Sequence, residues 1–322
     1  MHLQTKALVL RETAYKESDK ILTLLTQEAG RLTASARGCR RKGSPIAAGS
    51  QLLVWSDVVL HEYRGRWTVQ EAAVDREFRG MREDLEKFSL GCYFAEVTEL
   101  LAVEGLPCPE LLSLLLNSLH ALDRLERPLK LVKAAFELRA MCLAGYEPLL
   151  DACAVCGCPT PEEPRFHLRE GVLHCVGCRG SVGEGISLPL NSGSLAAMRH
   201  IVYGDPKRLF SFRLDGAGLD ALAGVAEAYL LTQLERGFRT LDFYKSLTLV
   251  PPDHVCMTAY GEARLIFRGL FQSFRVSSSI SSRSWPNRSS AAWMGWGEAI
   301  STPAPRSRSM GSWLHPPDRK PR

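Results

Sequence analysis

The sequence has little that would place the protein in a membrane or outside the cell. No apolar run approaches the roughly 18 residues that a membrane-spanning helix requires. The opening segment MHLQTKALVL lacks the basic stretch, the apolar run and the small-residue cleavage site of a secretory signal. These absences predict a cytoplasmic protein.

Short motifs of common enzyme classes are also missing. The chain has no GxxxxGK[ST] phosphate loop, no GxSxG nucleophile turn, no HExxH metalloprotease motif and no GxGxxG dinucleotide loop. None of the eight histidines is followed two residues later by glutamate, so the H-x-E pattern of zinc deaminases is absent. We therefore expect a protein that is not an enzyme. A hydrolase or transferase with an unrecognised site is one alternative, and a DNA-binding repressor, for which we find no helix-turn-helix pattern, is another.

Positive charge lies at the two ends of the chain. Residues 1–80 carry thirteen Lys/Arg and nine Asp/Glu, residues 81–249 have a net charge of −5, and the residues from 250 onward have a net charge of +6. A basic N-terminal unit is typical of phosphate binding. Charged residues on an ordinary solvated face would give the same count.

Hydrophobic periodicity divides the chain into two folded parts and a tail. Five short β-rich runs within residues 5–75, from TKALVLRE to WTVQEAAV, predict a five-stranded barrel over residues 1–79. Apolar residues then recur at helical spacing, as at Leu90, Phe94, Val97 and Leu101. This spacing predicts a helical domain over residues 80–247, so the fold class is α+β.

The segment 248–322 changes character. It is rich in Ser, Arg, Pro and Trp and shows no sustained period, so it cannot bury enough apolar area to offset the cost of ordering. We expect a disordered tail. Its composition leaves open a partner-binding segment and a product of a shifted reading frame.

Four cysteines carry the strongest motif. Cys153 and Cys156 form one C-x-x-C pair, and Cys175 and Cys178 form a second after eighteen intervening residues. This spacing is typical of a zinc ribbon, in which each pair supplies two adjacent corners of a tetrahedron. Four thiolates fill the coordination shell, so the pattern predicts structural Zn²⁺ rather than catalytic metal.

Two neighbouring residues bear on the choice of ligands. Cys158 follows Cys156 by two positions, so an exchange of ligand is possible. His174 precedes Cys175 and should point away from the metal if that stretch is extended.

A second cluster is basic. Between the third and fourth predicted strands the chain reads RGCRRKGS, which places four cations in six residues beside glycines. Such a loop can follow a phosphate backbone, although a solvated turn is the alternative. The four cations are Arg37, Arg40, Arg41 and Lys42, and Arg31, Arg64, Arg66 and Lys6 could extend the patch on the same barrel. Trp55, Tyr63 and Trp67 are expected to pack in the core, with base stacking as the alternative.

Taken in order, these features resemble the bacterial RecO family of recombination mediators. The similarity rests on the opening run TKALVLRETAYKESDKILTLLTQEAGRLTASARG, the ARGxRRK loop, the four cysteines and the final segment ERGFRTLDFYKSL. It covers residues 1–247. The tail resembles nothing in that family.

The resemblance implies an oligonucleotide-binding (OB) barrel, a helical domain and an inserted zinc module at about residues 150–186. It implies binding of single- and double-stranded DNA, annealing of complementary strands and, with RecR, loading of RecA onto DNA coated with single-strand-binding protein. Such a protein would be associated with the nucleoid. By position, DNA contact falls on Arg37, Arg40, Arg41 and Lys42, and metal ligation falls on the four cysteines. The alternative is a zinc-stabilised protein-interaction adaptor that does not bind DNA.

Overall fold

The computed structural model describes residues 1–248. The segment expected to form a disordered tail lies outside the described residues, apart from Thr248, which ends the last helix. No helix within the described part of the chain has both the length and the apolarity needed to cross a bilayer.

Five strands close into a barrel at the N-terminal end, as the sequence predicts. Their bounds are β1 His2–Tyr15, β2 Asp19–Thr26, β3 Gly30–Ala36, β4 Trp55–Tyr63 and β5 Arg66–Arg76. The pairs are antiparallel except β3 with β5, which run parallel and join Ala34 to Trp67 and Ser35 to Thr68. This short parallel ladder completes the order β1-β2-β3-β5-β4, so the barrel is OB-like.

Strand β1 is apolar on both faces because it borders two cores. Ala7 and Val9 are buried inside the barrel, whereas Leu8 and Leu10 belong to the core that the helices form. Alternate side chains of a strand point to opposite faces, which gives the near-continuous run ALVL instead of strict alternation. The barrel therefore packs its outer surface against the helical part.

Seven helices follow in the described residues. They are α1 Arg79–Arg82, α2 Leu85–Leu101, α3 Pro109–Arg124, α4 Leu129–Leu143, α5 Ser192–Tyr203, α6 Gly216–Leu234 and α7 Arg239–Thr248. The predicted apolar stripe of α2 is confirmed, since Leu90, Phe94 and Val97 are fully buried. The change from strand to helix falls between Arg76 and Arg79.

The cysteine-rich segment is inserted between α4 and α5. It contains the strands β6 Pro164–His167, β7 Val172–Cys175 and β8 Ser187–Pro189, in the order β7-β6-β8. Phe166 of β6 is buried, and its ring packs edge-on against Tyr229 of α6 at a centroid distance of 5.1 Å. The small sheet is thereby fixed to the helical core.

Gly30 marks the place where the barrel meets the helices. It has a φ of +60°, and a Cβ at this position would overlap the backbone carbonyl of Leu106, in the loop between α2 and α3. The Gly105 N–H donates to the Arg31 carbonyl at 3.1 Å in the same contact. Glycine is therefore required both by the left-handed conformation and by the close approach of the two backbones.

We predict that Gly30→Ala destabilises the protein by about 1–3 kcal/mol more than Gly65→Ala. Gly65 is a matched control because its φ is +74° but nothing lies within 4 Å of a Cβ built there. The cost of a left-handed alanine is then common to both variants. The additional loss of unfolding free energy in Gly30→Ala measures the cost of disturbing the barrel–helix contact. Urea denaturation gives both values; equal losses would show that the contact does not stabilise the fold.

Candidate functional site

The four cysteines of the two C-x-x-C pairs come together in the structure. The Sγ atoms of Cys153, Cys156, Cys175 and Cys178 all lie within 4.8 Å of one another, and those of Cys156 and Cys175 are 3.6 Å apart. A tetrahedral site with metal–sulfur bonds of about 2.3 Å has sulfur–sulfur edges of roughly 3.8 Å. The cluster therefore has the dimensions of a four-thiolate metal site.

Backbone hydrogen bonds shape the first cysteine pair. The Cys153 N–H donates to the Cys158 carbonyl at 2.8 Å, and the Ala154 N–H donates to the Leu173 carbonyl of β7 at 2.8 Å. The Cys175 N–H points at the Cys153 sulfur at 3.4 Å. These bonds place the first pair against the end of β7, where the second pair begins.

The pKa values of three cysteines in the cluster are shifted in different directions. Burial alone would raise the pKa of Cys153. Hydrogen bonds from the backbone N–H groups of Cys156 and Cys175 outweigh it and lower this pKa to about 6. Burial and the sulfur atoms of Cys156 and Cys153 raise the pKa of Cys175 to about 12 and that of Cys178 to about 11. The raised pKa values disfavour the thiolate forms of Cys175 and Cys178, and a bound divalent cation would stabilise thiolates at this cluster. The donor set fits such an ion.

The two residues beside the cluster have other partners. Cys158 is not among the four gathered sulfurs. The buried His174 ring has Nδ1 at 2.9 Å from the Cys175 carbonyl and Nε2 at 2.8 Å from the Ser187 hydroxyl. Its nitrogens are therefore engaged away from the sulfurs, as the extended conformation of this stretch predicts.

Arg199 supports the four-cysteine cluster from outside and was not found from the sequence. From α5 its guanidinium donates to the carbonyls of Leu150 at 2.8 Å, Asp151 at 3.0 Å and Pro159 at 2.8 Å. These carbonyls flank the first cysteine pair. No sequence pattern identifies such a residue, because it lies 40 or more positions away from the backbone that it holds.

The basic loop lies against the turn that joins β1 to β2. The Gly38 N–H donates to the Asp19 carboxylate at 2.8 Å, and the Arg40 N–H donates to the Ser18 carbonyl at 3.0 Å. The Arg40 guanidinium also reaches the Lys16 carbonyl at 3.3 Å. The four cations of the loop are exposed: Arg37, Arg40, Arg41 and Lys42.

The loop is also anchored from inside the barrel. Cys39 and Ile46 are buried, with 4% and 6% of their surfaces exposed, and both belong to the barrel core. The cations between them therefore lie on a backbone that is fixed at both ends. A fixed backbone reduces the entropy lost when the loop contacts a ligand.

The cations of the β4–β5 hairpin lie to the side of this loop. Arg64 and Arg66 are exposed. Because Trp67 pairs with Ala34, Arg66 lies beside Thr33, four residues before Arg37 on β3. At about 3.3 Å per residue the offset along the strand is roughly 13 Å. Both groups can therefore belong to one basic surface.

Arg31 lies elsewhere, at the opposite end of β3. It is six residues before Arg37, a distance of about 20 Å along the strand. It lines a cavity of about 200 Å³ between the barrel and the helices, together with Arg11, Glu99, Arg236 and Arg239. Arg11 and Glu99 form an ion pair at 2.8 Å. The sequence grouped Arg31 with the loop cations, but the structure places it among residues from α2 and the start of α7.

Lys6 is neutralised by two carboxylates. Its ammonium lies 2.7 Å from Asp75 and 3.6 Å from Asp57, on the β1–β4–β5 side of the barrel. The hydrogen bond to Asp75 raises the pKa of Lys6. Its charge is therefore already paired before any ligand approaches.

The three aromatic residues considered for stacking have different environments. Trp55 is 9% exposed and belongs to the core that the helices share, and Trp67 is half-buried against the barrel core. Tyr63 is 62% exposed at the end of β4. The expected core packing is observed for Trp55 and in part for Trp67, whereas it is wrong for Tyr63, whose exposed ring is available to a ligand.

We predict that Arg199→Met lowers the affinity for metal about 10- to 100-fold, because residues that orient metal ligands typically contribute that much. Competition with a chelator measures the affinity. The exposed Arg213, changed to Met, is the control and should leave the affinity unchanged. An Arg199→Met protein that keeps wild-type metal affinity would show that the guanidinium does not orient the first cysteine pair.

Comparisons with known proteins agree with the two-part architecture. Residues 1–76 match the family model described as recombination protein O N terminal, and residues 82–242 match the one described as recombination protein O C terminal. The chain is 32% identical over 247 residues to DNA repair protein RecO of Acetivibrio thermocellus, covering 76% of this chain and 97% of that protein. It is 30% identical to DNA repair protein RecO of Alkaliphilus metalliredigens over 77% of this chain and all of the relative. The chain therefore belongs to the RecO family, whose curated members are DNA repair proteins.

Proposed function

We propose that the protein is a DNA-binding recombination mediator in DNA repair. The observation that carries this proposal is the exposed basic loop Arg37–Lys42, which is anchored on an OB-like barrel. Barrels of this kind bind oligonucleotides through one face and adjacent loops. A fixed row of cations follows a phosphate backbone without reading its sequence.

The charge distribution supports a division of labour between the two parts. The barrel region, residues 1–80, has thirteen basic and nine acidic residues, while residues 81–249 have a net charge of −5. The modest excess on the barrel would give a salt-sensitive affinity. The acidic helical part would repel DNA and so remain available to partner proteins.

By analogy with its family, we assign the protein a role without chemistry of its own. It would bind single- and double-stranded DNA, anneal complementary strands and, with RecR, help to load RecA onto DNA coated with single-strand-binding protein. Such a role would be carried out in the cytoplasm, at the nucleoid. An annealing assay with and without the coating protein tests the mediator role directly.

We propose Zn²⁺ as the ion held by Cys153, Cys156, Cys175 and Cys178. Four sulfur donors at tetrahedral spacing favour zinc over calcium or magnesium, which prefer oxygen. With all four positions filled by protein, the ion would stabilise the fold of the inserted segment and leave no site for water or substrate.

Purified protein should contain one equivalent of zinc. Ser in place of any of the four cysteines should release it and destabilise residues 150–186, because structural zinc contributes about 10–16 kcal/mol of apparent binding free energy in small peptides. Cys158→Ser is the matched control, since its sulfur lies outside the cluster. Metal analysis measures the zinc content, and thiol titration measures how many of the four cysteines react. A folded protein without zinc, in which all four thiols react freely, would contradict the assignment.

Replacing Arg37, Arg40, Arg41 and Lys42 by Ala should weaken oligonucleotide binding and its dependence on salt. Each phosphate contact on a single strand contributes about 0.7 to the slope of log K against log salt, so the slope should flatten by at most about 3. Affinity should fall similarly for different sequences, because backbone contacts carry no base information. A salt titration of the full-length protein measures both effects.

The control for this variant changes four exposed cations outside the barrel to Ala: Arg169, Lys207, Arg208 and Arg213. It should keep the wild-type slope, and both variants should keep their zinc and their melting temperature. If the loop variant and the wild type have the same slope, the loop is only a solvated turn. The adaptor function, in which the protein does not bind DNA directly, would then be the better explanation.

A further inference from the structure

The tips of two barrel hairpins have the same local structure. At the β1–β2 tip, Tyr15 is 45% exposed and is followed by Lys16, whose ammonium lies 5.4 Å from the centre of the tyrosine ring. At the β4–β5 tip, Tyr63 is 62% exposed and is followed by Arg64, whose guanidinium lies 5.1 Å from the ring centre. Each tip thus presents an aromatic ring with a cation above it.

The backbone at both tips is unusual in the same way. Lys16 has a φ of +52° and Arg64 a φ of +49°, a left-handed conformation that residues with long side chains adopt infrequently. At the second tip Gly65 also has a positive φ, so Arg64 and Gly65 form the two-residue turn that joins the hairpin strands. The two tips thus share a left-handed cationic residue directly after an exposed tyrosine.

The two tips lie on either side of the basic loop. Tyr15 pairs with Asp19, and Lys20 pairs with Ala36, which brings the first tip level with Arg37. The second tip is level with the middle of β3. Tyr63 of β4 pairs with Arg66 of β5, and Arg66 lies beside Thr33 of β3. Counted through β2, β3 and β5, the tips are four strand steps apart, and the basic loop follows β3, the middle strand of that path.

The geometry points to Tyr15–Lys16 and Tyr63–Arg64 as a pair of stacking sites for unpaired bases, one on each side of the loop that holds the phosphates. This inference rests on the proposed DNA-binding function and adds to it a source of preference for single strands. Each exposed ring would stack on one base, and the cation beside it would contact the neighbouring phosphate. Bases in a duplex are already stacked on their neighbours and are not available to the rings. Stacking is also sequence-tolerant, as exchange on arbitrary strands requires.

The test compares full-length wild type with Tyr15→Ala/Tyr63→Ala on three probes of about 12 nucleotides, a length that one such barrel can cover. The probes are oligothymidylate, an abasic strand of equal charge and a duplex. The wild type should bind oligothymidylate more tightly than the abasic strand. Each lost ring should lower the affinity for oligothymidylate about 5-fold or more. Affinities for the abasic strand and the duplex, and the salt slope, should not change.

Two further variants control for stability and for loss of the hydroxyl group. Tyr15→Phe/Tyr63→Phe should keep the wild-type preference, because the ring is retained. Tyr146→Ala removes a tyrosine that is 42% exposed in the helical part and should bind all three probes like the wild type. If the double Ala variant still prefers oligothymidylate, or if the wild type never does, the stacking sites are wrong and DNA binding by the loop stands. If the wild type binds none of the probes, both proposals fail.

Discussion

The short parallel ladder between β3 and β5 determines how the possible nucleic-acid contacts are arranged. It joins Ala34 to Trp67 and Ser35 to Thr68, and it completes the barrel. Strand β3 ends one residue after this ladder, so the basic loop begins beside it. The same ladder fixes the β4–β5 hairpin next to β3. The β1–β2 turn reaches the loop from the other side through the bonds of Asp19 and Ser18. One closure thus fixes the β4–β5 hairpin and the start of the basic loop on neighbouring strands.

The four-cysteine cluster depends on a different constraint, the cost of gathering thiolate groups in one place. Backbone hydrogen bonds lower the pKa of Cys153, whereas burial and then the neighbouring sulfur atoms raise the pKa values of Cys175 and Cys178. A divalent cation at the cluster would offset this cost. Arg199 adds positive charge at the carbonyls that flank the first pair, so α5 and the inserted segment are joined by more than apolar packing.

The sequence was sufficient for features that depend on local spacing. The five short β-rich runs predicted the barrel, the helical spacing of apolar residues predicted helix α2, and the C-x-x-C pairs predicted which four cysteines gather. It was insufficient where position depends on distant segments. Arg31 looked like a neighbour of the loop cations, yet the direction of β3 carries it to the cavity beside the helices. Lys6 looked available, yet strand pairing places it beside Asp57, and Asp75 neutralises it as well. Arg199 has no local signal at all, because its partners are backbone carbonyls far along the chain.

The central claim is that single-stranded DNA lies across the barrel surface formed by the basic loop and the two hairpin tips. Photo-crosslinking tests it most directly, with a bromodeoxyuridine oligonucleotide bound to the full-length protein and the crosslinked peptides identified by mass spectrometry. The account predicts crosslinks in peptides that contain Tyr15, Tyr63 or the segment 37–42. Crosslinks confined to the helical part or to the cysteine-rich insert would contradict it.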